Sequence, residues 1–136
     1  MSKQHIADCS WTPEAGYKAK TPYGEIKMFE ENGHRAVELM LLSAAACLNF
    51  FLVEYARERK LPVRHLHVTC DGEISQHPER VSTITTTVHI DGDLSEKEGR
   101  KMVTMCERAC KVMNTFKNQP KIQVEIEHQS TLTKAV

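Results

Sequence analysis

The side chains with the most reactive chemistry in this 136-residue chain are five cysteines: Cys9, Cys47, Cys70, Cys106 and Cys110. The count is odd and the spacing irregular, which does not fit the disulfide framework of a small secreted domain. A reduced thiol has three uses. It fills core space, it ligates a metal, or it attacks as a thiolate. Cys9 and Cys70 fall in strand-like segments and read as structural. Cys47 sits in the middle of an apolar run beside Ala44, Ala45 and Ala46, where core filling and catalysis both remain open. Cys106 and Cys110 are one helical turn apart, which suits a redox pair, a metal clip or an apolar stripe. His65-Leu66-His67 puts two imidazoles on one strand face, and with Cys106 and Cys110 it makes a nominal set of four zinc ligands. No C-x-x-C or H-E-x-x-H spacing supports that set. Both histidines lie on the polar side of their strand, so no metal or other cofactor is expected.

The rest of the composition narrows the class. Lysine plus arginine equals aspartate plus glutamate at 18 each, so no basic patch points to nucleic acid or a membrane surface. Apolar residues at 40% and charged residues at 26% are an ordinary globular mixture, and the length suits one domain over residues 1–136. The segment Met1 to Asp8 is polar and lacks a signal-peptide core, so a cytoplasmic protein is expected. Leu39 to Val53 is nearly all apolar, but it is short for a bilayer and is bracketed by Glu38 and Glu54. It reads as a core helix.

These thiols have to be positioned by regular elements. His5 to Trp11, Gly16 to Lys20 and Glu25 to Phe29 read as strands, with Thr21-Pro22-Tyr23-Gly24 turning the last two into a hairpin. A helix is predicted from about Arg35 to about Arg59, apolar nearly all round and therefore buried on most sides. Its cationic last turn suits a helix C-terminus, and Pro62 ends it. Leu66, Val68, Cys70, Gly72 and Ile74 alternate with His67, Thr69, Asp71 and Glu73 as one strand. Val81 to Ile90 forms a second, after a turn at Gln76-His77-Pro78. Ser95 and Glu98 are spaced as a capping box for another helix. Its buried stripe is predicted as Met102, Cys106, Ala109, Cys110 and Met113. Lys121 to Glu127 alternates as a last strand. One-faced strands favour antiparallel pairing, giving an α+β fold with helices on one face of a sheet.

The segment from Val37 to Cys47 (Val37-Glu38-Leu39-Met40-Leu41-Leu42-Ser43-Ala44-Ala45-Ala46-Cys47) resembles the central-helix motif of the OsmC/Ohr family. Gly92-Asp93-Leu94-Ser95 and Cys110-Lys111-Val112-Met113-Asn114-Thr115 resemble its second helix and second cysteine. The element order matches over nearly the whole chain. The resemblance implies an intertwined homodimer with antiparallel sheets packed on a long buried central helix. It implies a thiol-dependent peroxidase for organic hydroperoxides, recycled by a dithiol or a lipoylated protein. By that match Cys47 attacks the peroxide, Cys110 resolves the product as a disulfide, and Glu38 is a candidate orienting acid. Leu48, Phe51 and Met113 are expected to line an apolar substrate pocket.

The sequence departs from that pattern in one respect. In the peroxidase members an arginine from the N-terminal strands activates the first cysteine, held by a glutamate ten residues before it. Here no arginine precedes Arg35, the only cations in the expected region are Lys18 and Lys20, and Val37 stands at the glutamate's place, with Glu38 one residue later. One residue on a helix turns a side chain by about 100°. Lysine does not copy the planar fork of arginine. The alternative is therefore a non-catalytic dimeric ligand-binding or redox-sensing stress protein. A zinc or copper site using Cys106, Cys110 and histidine is a weaker third reading.

Overall fold

Alanine and leucine dominate the segment after Arg35, and neither glycine nor proline interrupts it. A helix of high intrinsic propensity results. In the computed structural model, which describes residues 5–129, it is α1, Ala36–Glu58. Its buried stripe is Ala44, Leu48, Leu52 and Ala56, each four residues after the last, so one face carries the core. The helix stops by backbone geometry before Pro62 is reached. Lys60 adopts a left-handed φ of 52°, its N–H donates to Arg57 O, and the Leu61 N–H donates to Ala56 O at 2.9 Å. That pair of bonds is a Schellman motif, here with lysine where glycine is usual.

Three strands precede α1: β1 (Asp8–Thr12), β2 (Gly16–Thr21) and β3 (Gly24–Ile26), an antiparallel sheet in that order. The strand predicted over Glu25 to Phe29 is shorter because Phe29 turns to a φ of 64°. The two strands after α1 are β4 (Val63–Ser75) and β5 (Arg80–Gly92), a long antiparallel hairpin. Leu66, Val68 and Cys70 pair with Ile90, Val88 and Thr86 and turn inward toward α1, as their alternation predicts. Gly72 lets the helix come close. A Cβ there would sit 3.3 Å from Leu41 Cδ1 and 3.1 Å from Val81 Cγ1.

The second helical region is α2 (Glu96–Ala109) followed by α3 (Lys111–Lys117). Ser95 caps the helix as predicted, while Glu98 reaches back to the Ser95 hydroxyl and not to its backbone N–H. Ser95 Oγ accepts from the Glu98 N–H at 3.1 Å and donates to Glu98 Oε1 at 3.1 Å. Met102, Cys106, Cys110 and Met113 are buried against α1. Ala109 is exposed, because the helix breaks at Cys110 and the predicted stripe does not run straight through it.

Two further expectations are corrected. Lys121 to Glu127 forms no strand and pairs with none among the described residues, and Ile122, Val124 and Ile126 are 81%, 83% and 86% exposed. Nor is α1 buried on most sides. Phe50 is 61% exposed and Leu42 57%, because β4 and the α2–α3 pair cover only one side of it. The β1–β3 sheet makes only marginal contact with the other elements, so nothing among the described residues covers the other side. By length and composition alone α1 is apolar enough to cross a membrane.

Candidate functional site

Cys47 projects half-buried from the middle of α1, next to the fully engaged Leu48. Cys110 comes to it from the joint between α2 and α3. At Cys110 the backbone turns extended, with ψ at 112°, which ends α2 and starts α3 in one residue. The joint is tied by Asn114. Its N–H donates to Cys110 O at 3.0 Å, and its side-chain amide donates to Arg108 O at 3.0 Å, taking up a carbonyl that the ended helix leaves free. The Cys110 side chain, with no exposed surface, is thereby directed at α1, where Cys47 packs against the same core cluster and is its neighbour.

The electrostatics of Cys110 are those of a protected thiol. Burial pushes its pKa up, and the neighbouring Cys47 sulfur pushes the same way. The amides of Met113 and Val112 oppose this by favouring the thiolate, acting as nearby dipoles because no side-chain capping bond forms. Burial also raises Cys106, and here the opposing influence is the Arg59 guanidinium. Arg59 lies over the Tyr55 ring, 3.7 Å from its centroid, at the far end of α1. A cation is thus set against Cys106. Lys18 and Lys20 stay exposed on β2.

Next to the two sulfurs lies a cleft of about 750 Å³ between β5, α1 and the α2–α3 pair. That is within the usual range for a small-molecule site. Leu48 and Met113 line it, together with Ile84, Val103 and Phe116, and the Glu107–Lys117 ion pair sits at its polar end. Leu48 follows Cys47 directly and Met113 lies one turn after Cys110, so the cleft adjoins the sulfurs, although neither forms its wall. Phe51 is not on the wall; it packs on the core and edge-on against Phe50, with centroids 5.5 Å apart. Glu38 is exposed in the first turn of α1 and makes no ion pair among the described residues. Its carboxylate suits the positive end of the helix dipole there.

His65 and His67 are exposed on the outer face of the hairpin, while Cys106 and Cys110 are in the core, so the nominal zinc set is not brought together. Three residues of the site were not singled out from sequence. Arg59 was counted only as a helix-terminal cation, and Asn114 gave no sign of bridging a broken helix. Asn49, two residues after Cys47, has a buried Oδ1 without a partner among the described residues.

Paired thiols on two packed helices, beside an apolar cleft and backed by an antiparallel hairpin, define a thiol-bearing α+β protein. The family described as OsmC-like protein matches residues 29–125, and the chain belongs to that family. Solved structures share the fold at low identity. An OsmC-like protein from Mycoplasma pneumoniae is 17% identical, with a TM-score of 0.75, covering 88% of this chain and 91% of that one. A hypothetical protein from Aquifex aeolicus VF5 is 22% identical, with a TM-score of 0.74, covering 87% and 90%. An organic hydroperoxide resistance protein OsmC from Legionella pneumophila is 19% identical, with a TM-score of 0.63, covering 85% and 90%. None of the curated proteins matches the sequence.

Proposed function

We propose that the chain is a cytoplasmic thiol-dependent peroxidase that reduces organic hydroperoxides. The observation that carries this reading is that Cys47 and Cys110, two thiols 63 positions apart in sequence, are neighbours where the α2–α3 joint packs on α1. In the first step the Cys47 sulfur attacks the peroxide, giving Cys47–SOH and an alcohol. The Cys110 thiol then captures the sulfenic acid, forming the Cys47–Cys110 disulfide and releasing water. A dithiol reduces that disulfide and is itself oxidised, which restores both thiols. An apolar cleft walled by Leu48 and Met113 favours an organic peroxide over hydrogen peroxide. The Legionella relative's description as a hydroperoxide resistance protein supports the same reading.

The working unit in this reading is a homodimer. The open side of α1, the free-standing β1–β3 sheet and the unpaired alternating segment Lys121–Glu127 are all surfaces that a second copy would cover.

A second reading is favoured by one observation: the guanidinium set against a buried sulfur serves Cys106. On that reading the pair is a slow redox sensor in a non-catalytic dimer. The deciding assay supplies cumene hydroperoxide and dihydrolipoamide to the parent protein and to a Cys47→Ser variant. Turnover by the parent alone is expected. Absence of turnover in both moves the assignment to the sensor.

A further inference from the structure

The outer face of the β4–β5 hairpin carries a feature that thiol chemistry does not use. His65 and His67 are two residues apart on β4 and therefore point to the same side. His89 on β5 is the direct cross-strand partner of His67, and Asp91 is the partner of His65. All four side chains are on the exposed face. The three imidazoles form a row, with ring centroids 6.2 Å apart for His65 and His67 and 5.9 Å for His67 and His89.

We propose that His65, His67 and His89 form a tris-imidazole site for a divalent transition-metal ion, zinc foremost. Two histidines at i and i+2 on one strand, with a third directly across on its antiparallel neighbour, present three nitrogens from one side of a sheet. With zinc–nitrogen bonds of about 2.0–2.1 Å and tetrahedral angles, ligated rings sit with centroids about 5 Å apart. The His65–His67 and His67–His89 spacings exceed that by about 1 Å, while His65 and His89 stand diagonally across the ladder, so these outer two rings must swing toward each other by side-chain rotation on the exposed strand face. As placed, the rings lie side by side, at interplanar angles of 35° and 23°, and no three ligating side chains among the described residues surround a common point. Binding therefore requires the rings to turn from stacked to convergent.

The surroundings fit a metal better than a plain polar face does. The next rungs of the same face are threonines, Thr69 opposite Thr87, so imidazole is confined to the adjacent rungs where three of them can meet. Asp91 is held by Arg64 at 3.0 Å, and Asp93 by the same guanidinium at 3.3 Å. That anchors a carboxylate opposite His65, where it can orient an imidazole N–H or complete the coordination shell. Imidazole ligands select zinc, copper or nickel over magnesium and calcium. The Cys47–Cys110 pair lies on the other side of the sheet, so this site is independent of the peroxidase reading.

The test is titration of the reduced full-length protein with zinc chloride by calorimetry, and with cobalt chloride by visible absorption. One equivalent of zinc is expected to bind. His67→Ala and His89→Ala should each weaken it by at least about 100-fold, the upper end of the loss seen when only an outer-shell partner is removed. His77→Ala, a histidine of the hairpin turn, should leave it unchanged. The cobalt complex should lack a thiolate-to-metal charge-transfer band. No binding by the parent, zinc affinity unchanged in the His67 and His89 variants, or a thiolate band would each overturn the proposal. Circular dichroism of the two alanine variants separates lost ligation from lost folding, and His67→Gln, which keeps the size and polarity of the side chain, should lose zinc equally.

Discussion

The Cys47 and Cys110 side chains are neighbours across the packed interface between α1 and the α2–α3 joint. Cys106, although one turn from Cys110, is subject to the Arg59 charge and not to that of Cys47. Oxidation by a small electrophile such as diamide should therefore link Cys47 to Cys110 as the dominant intramolecular disulfide. Bridged cysteines have Cα atoms about 4.4–6.8 Å apart, and the packing of the α2–α3 joint on α1 brings these two side chains into one cluster. Peptide mapping checks this. A majority of Cys106–Cys110 bridges would contradict the geometry.

Stability should fall in alkaline solution, and the buried thiols set the direction. Burial holds the Cys106 and Cys110 thiols above their ordinary pKa in the native state. The unfolded chain releases those protons at about pH 8.5, while the native state still keeps them. Their contribution is complete below that value and is lost as pH rises through the native pKa values. Urea unfolding at a series of pH values should show this decline. Cys106→Ala should make the decline shallower; an unchanged slope would remove Cys106 from the account.

Replacing Lys60 with glycine should stabilise the protein. Lys60 holds a left-handed φ of 52° at the end of α1, a conformation that costs a residue with a Cβ about 1–2 kcal/mol. Glycine adopts it freely but loses more entropy on folding, so a net gain of about 0.5–1 kcal/mol is expected. Chemical denaturation of Lys60→Gly measures it, and destabilisation would show that the lysine side chain contributes more than its backbone costs.

Sedimentation should report a dimer for the parent protein. Phe50→Lys, which places a charge on the open side of α1, should shift it toward monomer without loss of helix content. A parent that stays monomeric at every concentration would mean that the apolar side of α1 is covered by something else.

Much of this architecture was legible in the sequence because it rests on local patterns. Alternation fixed the inner face of β4 and β5, the Ser95–Glu98 spacing marked the start of α2, and propensity marked α1. What could not be read depends on contacts between elements. No glycine or proline announces the break at Cys110, which is tied by an Asn114 amide reaching Arg108 O. Lys121 to Glu127 has a strand pattern, but pairing needs a neighbour, and the pattern does not say which chain provides it. Of the expected pocket residues, Leu48 and Met113 reach the cleft and Phe51 does not; it stands about 60° round α1 from Leu48 and packs on the core beside Phe50. The two cysteines were found through a family resemblance. Their closeness is a property of how two helices pack.

If Cys47 and Cys110 cycle as proposed, the joint at Cys110 would tie redox state to the shape of the adjoining cavity. The α3 segment brings Met113, Thr115, Phe116 and Lys117 to the cavity wall, and the first residue anchoring that segment to α1 is the one whose sulfur would be oxidised. In the proposed cycle, drawing that sulfur into a covalent bond with Cys47 would pull on the base of a seven-residue lever. The reduced and oxidised forms would then present different walls to whatever occupies the space, and expulsion of a spent molecule and admission of a reductant would need no separate moving part.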